Sequence, residues 1–245
     1  MNAKVFGVEL ADELRGIMRE PAALFFSIIM PVAFFALFVS LFGKFSSGGV
    51  SAGTTMLATF GAFGVISVVL MNPGIGVAAD RERGWLRAKQ VSAVPIGVTL
   101  AAKVVAALPY AVGVLLAMTA TAAVTGALDA PLPAVLRVLA VLMLGALPFA
   151  LLSLAIGFQV GSGAAAAVLN AILIPSAVLS GLWMPLEIMP AFFADVARFL
   201  PTYHLARLAL AQLTGAPALT HVLFLSGTAI VAAALAAVSY RHARS

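Results

Sequence analysis

The sequence predicts an all-α membrane protein whose chain crosses the bilayer about six times. Of the 245 residues, 63% are hydrophobic and only 9% are charged. A water-soluble domain carries roughly 25% charged residues, so this chain has too few charges to cover a globule of its size with a hydrated surface. The apolar residues also come in stretches of about 20, which is the length of a membrane-spanning helix.

Each predicted span is a long apolar segment, and the boundaries follow from where polar residues return. The six segments are approximately 22–42, 55–79, 98–128, 134–160, 164–184 and 218–240. Two further segments lie outside the spans and complete the predicted fold. We divide the chain into an amphipathic cytoplasmic surface helix at 1–20 and a six-helix transmembrane domain at 21–245.

The N-terminal segment is predicted to be an amphipathic helix that lies along the inner membrane surface. Phe6, Leu10, Leu14 and Ile17 fall on one helical face, while acidic and basic residues occupy the other. A helix of this kind rests in the interface instead of crossing it.

The longest predicted outer connection covers residues 185–216. Its apolar pieces are short and interrupted by proline, so they are unable to span the bilayer. We expect short re-entrant helices before the last span, with their backbone shielded by the rest of the protein.

Basic residues orient the predicted spans, because lysine and arginine collect on the cytoplasmic side. Placing both termini in the cytoplasm puts four basic residues outside (Lys44, Arg137, Arg198 and Arg207) and leaves the other ten of the fourteen inside. Lys103 and Arg137 lie near span ends, where long side chains reach the headgroups. We interpret both as snorkelling residues.

Several function classes are excluded by missing motifs. The sequence has no G-x-x-x-x-G-K-[ST] phosphate-binding loop and no H-E-x-x-H zinc motif, so we expect a chain that is not an enzyme and binds no metal or cofactor. The basic residues form no dense run with interleaved aromatics, which argues against nucleic acid. The middles of the predicted spans contain no aspartate or glutamate, which argues against a secondary transporter coupled to protons or sodium.

The densest charged patch lies between the second and third predicted spans. It contains Asp80, Arg81, Glu82, Arg83, Gly84, Trp85, Leu86 and Arg87. Asp80 favours a helix start, so a short helix is expected from Asp80 to Val94. Two interpretations are open: a basic anchor with Trp85 among the headgroups, or a docking helix for a cytoplasmic partner.

A second ordered set of residues lies near the C-terminal third of the chain, and the two sets together indicate a family. The second set is Ser180-Gly181, Pro185, Pro190, Pro201-Thr202-Tyr203 and Arg207. Combined with Arg19-Glu20-Pro21, Pro31 and the element Arg81-Glu82-Arg83-Gly84-Trp85-Leu86 with Pro95 and Lys103, it resembles the permease subunits of type-2 ATP-binding-cassette (ABC) exporters. Leu200 and Ala206 depart from the family pattern, in which many members have asparagine and an acidic residue at these two positions.

The resemblance implies a partner that supplies energy. In the family, two permease copies pair with two cytoplasmic ABC ATPase subunits, which bind ATP and Mg²⁺. By resemblance, the helix at Asp80 to Val94 would dock on the ATPase, and the N-terminal helix, with Glu9 and Glu13, would contact the same partner. A homodimer in a bacterial plasma membrane is expected.

The resemblance also implies a substrate pathway at the permease dimer interface, with Phe34, Phe35, Asn72 and Asn170 as candidate lining residues. Large apolar surface with few polar groups suits a hydrophobic, drug-like or antibiotic-like compound, as in a multidrug-resistance exporter. Export of lipid or polysaccharide is an alternative. A membrane scaffold that transports nothing is another.

Overall fold

The computed structural model describes residues 3–19, 25–43, 46–47, 50–85 and 95–244. Within these ranges the protein is a helical bundle with one small antiparallel hairpin, in which Ser46–Ser47 pairs with Val50–Ser51. The helices are α1 (Ala3–Met18), α2 (Met30–Phe42, preceded by a π-helical turn at Phe25–Ile29), α3 (Ala52–Glu82), α4 (Ile96–Val124), α5 (Leu132–Gly145), α6 (Leu147–Gly157), α7 (Ser162–Leu179), α8 (Ala191–Ala197), α9 (Pro201–Thr214) and α10 (Leu219–Arg244).

The helices agree with the predicted spans. Five segments are long and apolar enough to cross a membrane: α3, α4, the pair α5–α6, α7 and α10. The shorter apolar helix α2 accounts for the first predicted span. The α5–α6 span is interrupted at Ala146, next to Pro148, because proline has no N–H to donate to the carbonyl of Leu144.

Helix α3 is the centre of the bundle. It packs against α2, α4, α6, α7 and α9, and its middle turns are buried on every side. The side chains of Phe60, Phe63, Ile66 and Leu70 are at most 1% exposed. Burial of four such side chains contributes roughly 1.5–3 kcal/mol each in an aqueous reference, and in lipid the same contacts act through close packing.

Glycine allows α3 and α6 to approach closely where they cross. A Cβ atom at Gly157 of α6 would overlap the backbone carbonyl of Gly74 in α3. A Cβ at Gly74 would in turn lie 2.8 Å from the carbonyl oxygen of Ser153. Small residues at such a crossing let two helix backbones come into contact within a membrane.

The predicted outer connection contains helices, as expected, but one of them is deeply packed. A 3₁₀ turn at Leu186–Ile188 and helix α8 are short. Helix α9 begins at Pro201, has Thr202, His204 and Leu205 buried, and ends at Thr214, directly before Gly215. Gly215 has φ +72°, a left-handed conformation that favours glycine after a helix. Helix α9 packs on α3, α5 and α10, so it is part of the bundle core and not only a surface connection.

The two ends of the bundle differ in composition. One end gathers α1, the last turn of α3, the beginning of α4 and the turn at 158–162, which are joined by charged side chains. We call it the charged end. The other end holds the hairpin and Ser51, whose hydroxyl accepts from Thr54 N–H at 3.2 Å and donates to the carbonyl of Ala127 at 2.8 Å.

Candidate functional site

The charged end is built around the C-terminus of α3. Helix α3 continues through Asp80 and ends at Glu82, and Gly84 follows with φ +73°. The expectation that Asp80 starts a new helix is therefore wrong, because Asp80 lies in the last turn of a span. Trp85 is the last described residue before residue 95. Leu86 and Arg87 and most of the expected docking helix lie outside the described residues.

Lys103 of α4 lies at the core of this end. Its ammonium nitrogen is 2.7 Å from Glu13 Oε1 in α1 and 2.8 Å from Asp80 Oδ2 in α3. The Lys103 side chain is only 3% exposed. The expectation that Lys103 snorkels to the headgroups is wrong, because two carboxylates provide it with closer partners inside the protein. One cation thus joins three helices.

A second contact fastens α1 to α4. The Tyr110 hydroxyl donates to the backbone carbonyl of Leu14 at 3.1 Å. Leu14 belongs to the predicted apolar face of α1, and that amphipathic helix is confirmed over Ala3–Met18. A Cβ at Gly76 would lie 3.3 Å from the Lys103 nitrogen, so the small residue at position 76 leaves the space that the lysine uses. Helix α1 is therefore held on the bundle by both charge and hydrogen bonding.

Arg81 and Glu82 contact the turn between α6 and α7. An Arg81 guanidinium nitrogen donates to the carbonyl of Phe158, at the end of α6, at 2.6 Å. The Glu82 carboxylate accepts from the Ser162 backbone N–H at 3.0 Å and from its hydroxyl at 2.7 Å. A cation at a helix C-terminus and an anion at a helix N-terminus both complement the helix dipole. Both residues therefore complete the ends of neighbouring helices.

Other predicted docking residues face outward. The Trp85 side chain is 54% exposed, and Arg83 is exposed beside it. Glu9 lies on α1 and is half-buried, so it is not counted among these outward-facing residues. The structure thus divides the predicted docking set into residues bound within the chain and residues presented to the outside, a division that spacing along the sequence does not reveal.

The four predicted pathway residues differ in exposure. Phe34 is 43% exposed and Asn170 is also exposed, whereas Phe35 is fully buried beside Phe60, with ring centroids 5.9 Å apart. Asn72 is half-buried and donates to the carbonyl of Val68 within its own helix at 3.0 Å. Asn170 similarly donates to Ala166, at 2.9 Å. Phe35 therefore belongs to the packed interior of this chain.

Sequence reasoning missed an aromatic cluster next to Phe34. The Trp183 ring is 6.3 Å from the Phe34 ring and 5.0 Å from the Phe63 ring. Its Nε1 atom is buried without a hydrogen-bond partner among the described residues. The only signal for this contact in the sequence is the aromatic character of the positions involved.

A histidine pair lies towards the other end of the bundle. His204 Nδ1 is 2.9 Å from His221 Nδ1, and His204 Nε2 contacts the carbonyl of Arg198 at 2.9 Å. Across the described ranges, no three histidine, aspartate or glutamate side chains gather to hold a metal ion. The pair joins α9 to α10.

A bundle of apolar spans with one charged end, preceded by an amphipathic helix, defines a multi-pass membrane protein. The sequence matches the ABC-2 type transporter family over residues 5–214. The chain belongs to this family. It is also 25% identical over 193 residues to the Bacillus subtilis (strain 168) protein named "Putative transport permease YvfS", covering 78% of each chain.

Proposed function

We propose that this protein is the transmembrane permease subunit of an ABC exporter for a hydrophobic small molecule of the drug or antibiotic type. A separate ABC ATPase subunit binds ATP and Mg²⁺ and drives transport. The observation that carries the proposal is the exposed Trp85 at the charged end of a family member. A large aromatic surface next to a fixed helix end is the kind of anchor that buries well in a protein interface.

The charge pattern around Trp85 favours a protein partner over a headgroup anchor. Asp12 of α1 is exposed at this end as well as Arg83. Anionic headgroups attract basic residues and repel acidic ones. A folded partner can present charges of both signs, so a mixed surface suits an ATPase groove better than a lipid surface.

The apolar composition of the spans supports a hydrophobic substrate and a second copy of the chain. Exposed apolar side chains lie on α2 and α7, among them Phe34, Leu37, Val168 and Ile172. The middles of these spans carry no acidic or basic residue. We place the pathway between the α2 and α7 surfaces of two permease copies, with both termini of each copy in the cytoplasm of a bacterium.

Co-purification followed by reconstitution tests the proposal. The chain is co-expressed with ABC ATPases of the same genome, and the complex is placed in liposomes with the hydrophobic dye Hoechst 33342. The proposal expects a retained ATPase and dye movement that requires ATP. Movement of a fluorescent phospholipid instead of the dye would support the lipid alternative, and dye movement driven by a proton gradient alone would indicate a secondary transporter.

Trp85→Ala provides the residue-level test, with Phe199→Ala as its control. Phe199 is an aromatic residue that is 69% exposed and far from the charged end in the chain. We expect Trp85→Ala to weaken retention of the ATPase while the protein still inserts, and Phe199→Ala to retain it. Equal retention by both variants would contradict the docking role of Trp85.

A further inference from the structure

Arg81 and Glu82 are adjacent in sequence but contact the ends of two different helices. Arg81 reaches the carbonyl of Phe158 at the end of α6, and Glu82 reaches Ser162 at the start of α7. Both side chains are therefore engaged within the chain, although Glu82 is also exposed. They are the last two residues of α3, and the exposed Trp85 follows them closely.

The N-terminus of α7 depends on Glu82 for its cap. The residue at the N-cap position is Gly161, which has no side chain and makes no side-chain cap. The Glu82 carboxylate replaces the missing cap by accepting from both the N–H and the hydroxyl of Ser162. Charge-assisted hydrogen bonds are stronger than neutral ones, and these two connect the end of α3 directly to the start of α7.

The space at Gly161 is fitted to this contact. A Cβ atom at position 161 would overlap Glu82 Oε1. The backbone there, with φ −70° and ψ 165°, is accessible to alanine. A methyl group at 161 would therefore displace the carboxylate without straining the backbone, whereas a Cβ at the nearby Gly163 meets nothing within 4 Å.

Helix α7 is suited to respond to a displacement at this point. Only a narrow strip of it is buried, comprising Ala165, Leu169, Leu173 and Ala177. The remaining faces are largely exposed. A helix with few internal contacts is displaced more easily than the enclosed helix α3.

We propose that Arg81 and Glu82 are positioning residues that transmit movement of the segment around Trp85 to α7 through the turn at 158–162. This inference rests on the proposed function, since it requires an ATPase that moves this segment. Arg81 and Glu82 are then not docking contacts for the ATPase. They connect the docking surface to α7, a span that faces the proposed pathway.

The test follows α7 directly and needs no substrate. The chain contains no cysteine, so Ala164→Cys gives a single reporter on an exposed position of α7. The purified complex with the ATPase, in lipid nanodiscs, is labelled with fluorescein maleimide in the absence and in the presence of ATP with vanadate. The compared backgrounds are Glu82→Gln, Gly161→Ala and the control Gly163→Ala.

We expect the labelling rate to depend on nucleotide in the parent and in Gly163→Ala. In Glu82→Gln and Gly161→Ala this dependence should be lost, although the ATPase is still retained. Hydrogen exchange at the Ser162 amide should become several-fold faster in the same two variants, because its acceptor loses its charge in Glu82→Gln and is displaced in Gly161→Ala. Gly161→Ala keeps the Glu82 side chain, so it separates loss of the contact from loss of the residue.

Three results would overturn the inference. The first is an unchanged nucleotide response in Glu82→Gln and Gly161→Ala. The second is loss of the ATPase from both variants, which would make the pair docking contacts. The third is a parent complex in which the labelling rate of the α7 reporter is the same with and without nucleotide. Failure of the parent to retain any ATPase is a different result, since it refutes the proposed function and removes the basis of the inference.

Discussion

The ammonium group of Lys103 lies 2.7 Å from the carboxylate of Glu13, although the two residues are 90 positions apart in the chain. Asp80 completes the group from a third helix. Because Lys103 is almost fully buried, its charge has no access to water and depends on these two carboxylates. The contact makes the N-terminal helix part of the folded bundle.

Removing the Lys103 charge should destabilise the protein severely. Lys103→Met leaves two carboxylates without their cation, and breaking a buried ion pair costs about 3 kcal/mol or more. The free energy of unfolding in detergent, followed by denaturant titration, measures the loss. Asp12→Asn is the control, because the Asp12–Arg15 pair is exposed and such pairs contribute little. Similar losses in both variants would contradict the central role of Lys103.

Alanine at two helical glycines should have opposite effects. Gly157→Ala introduces a methyl group against the backbone of Gly74, and such overpacking costs about 2 kcal/mol. Gly113→Ala meets nothing within 4 Å inside α4, so it should stabilise the helix by about 0.5–1 kcal/mol. Thermal unfolding of the purified variants checks this: the unfolding midpoint should be lower than that of the parent for Gly157→Ala and higher for Gly113→Ala. A Gly157→Ala variant as stable as the parent would show that α3 and α6 can move apart without loss.

Ser51 should contribute more to stability than an ordinary span hydroxyl. Ser51→Ala removes the N-cap of α3 and the hydrogen bond to Ala127, with an expected cost of about 1–2 kcal/mol. Thr228→Ala is the control, because the Thr228 hydroxyl donates only to Phe224 within its own helix. Denaturant titration of both variants measures the free energy of unfolding. An equal loss in Ser51→Ala and Thr228→Ala would be evidence against the cap.

The proposed orientation predicts which side of the membrane each bundle end faces. Single cysteines are placed at Gly163 in the charged end and at Glu187 near α8, both of which are exposed, in a chain without native cysteine. A membrane-impermeant maleimide should label Glu187→Cys in intact cells. Gly163→Cys should react only after permeabilisation. The opposite pattern would place the charged end outside and reverse the proposal.

The spans could be predicted from sequence because each is a long, continuous apolar run. The length of the run fixes the number of crossings, since a helix must bury about 20 residues in the hydrocarbon layer. The end of α3 is harder to locate, because the apolar run stops at Asp80 whereas the helix continues to Glu82. Gly84 was the available signal, since a glycine shortly after a helix marks its end.

The interior of the charged end could not be predicted from sequence. The positive-inside pattern identifies Lys103 as a residue near the membrane surface, but it does not say which way the side chain points. Its partners Glu13 and Asp80 belong to distant parts of the chain and meet only after folding. The contact of Glu82 with Ser162, 80 positions apart, has the same origin. Single-sequence spacing carries no information on such pairs.

The enclosed position of α3 limits how this protein can assemble. Between Leu57 and Leu70 nearly every α3 side chain is covered by the same chain, so neither acyl chains nor a neighbouring copy can reach the helix at mid-depth. Any oligomer must therefore be built through the peripheral helices. Substitutions in the middle of α3 should alter the folding of one subunit, while substitutions that alter assembly should be found on α2, α7 and α10.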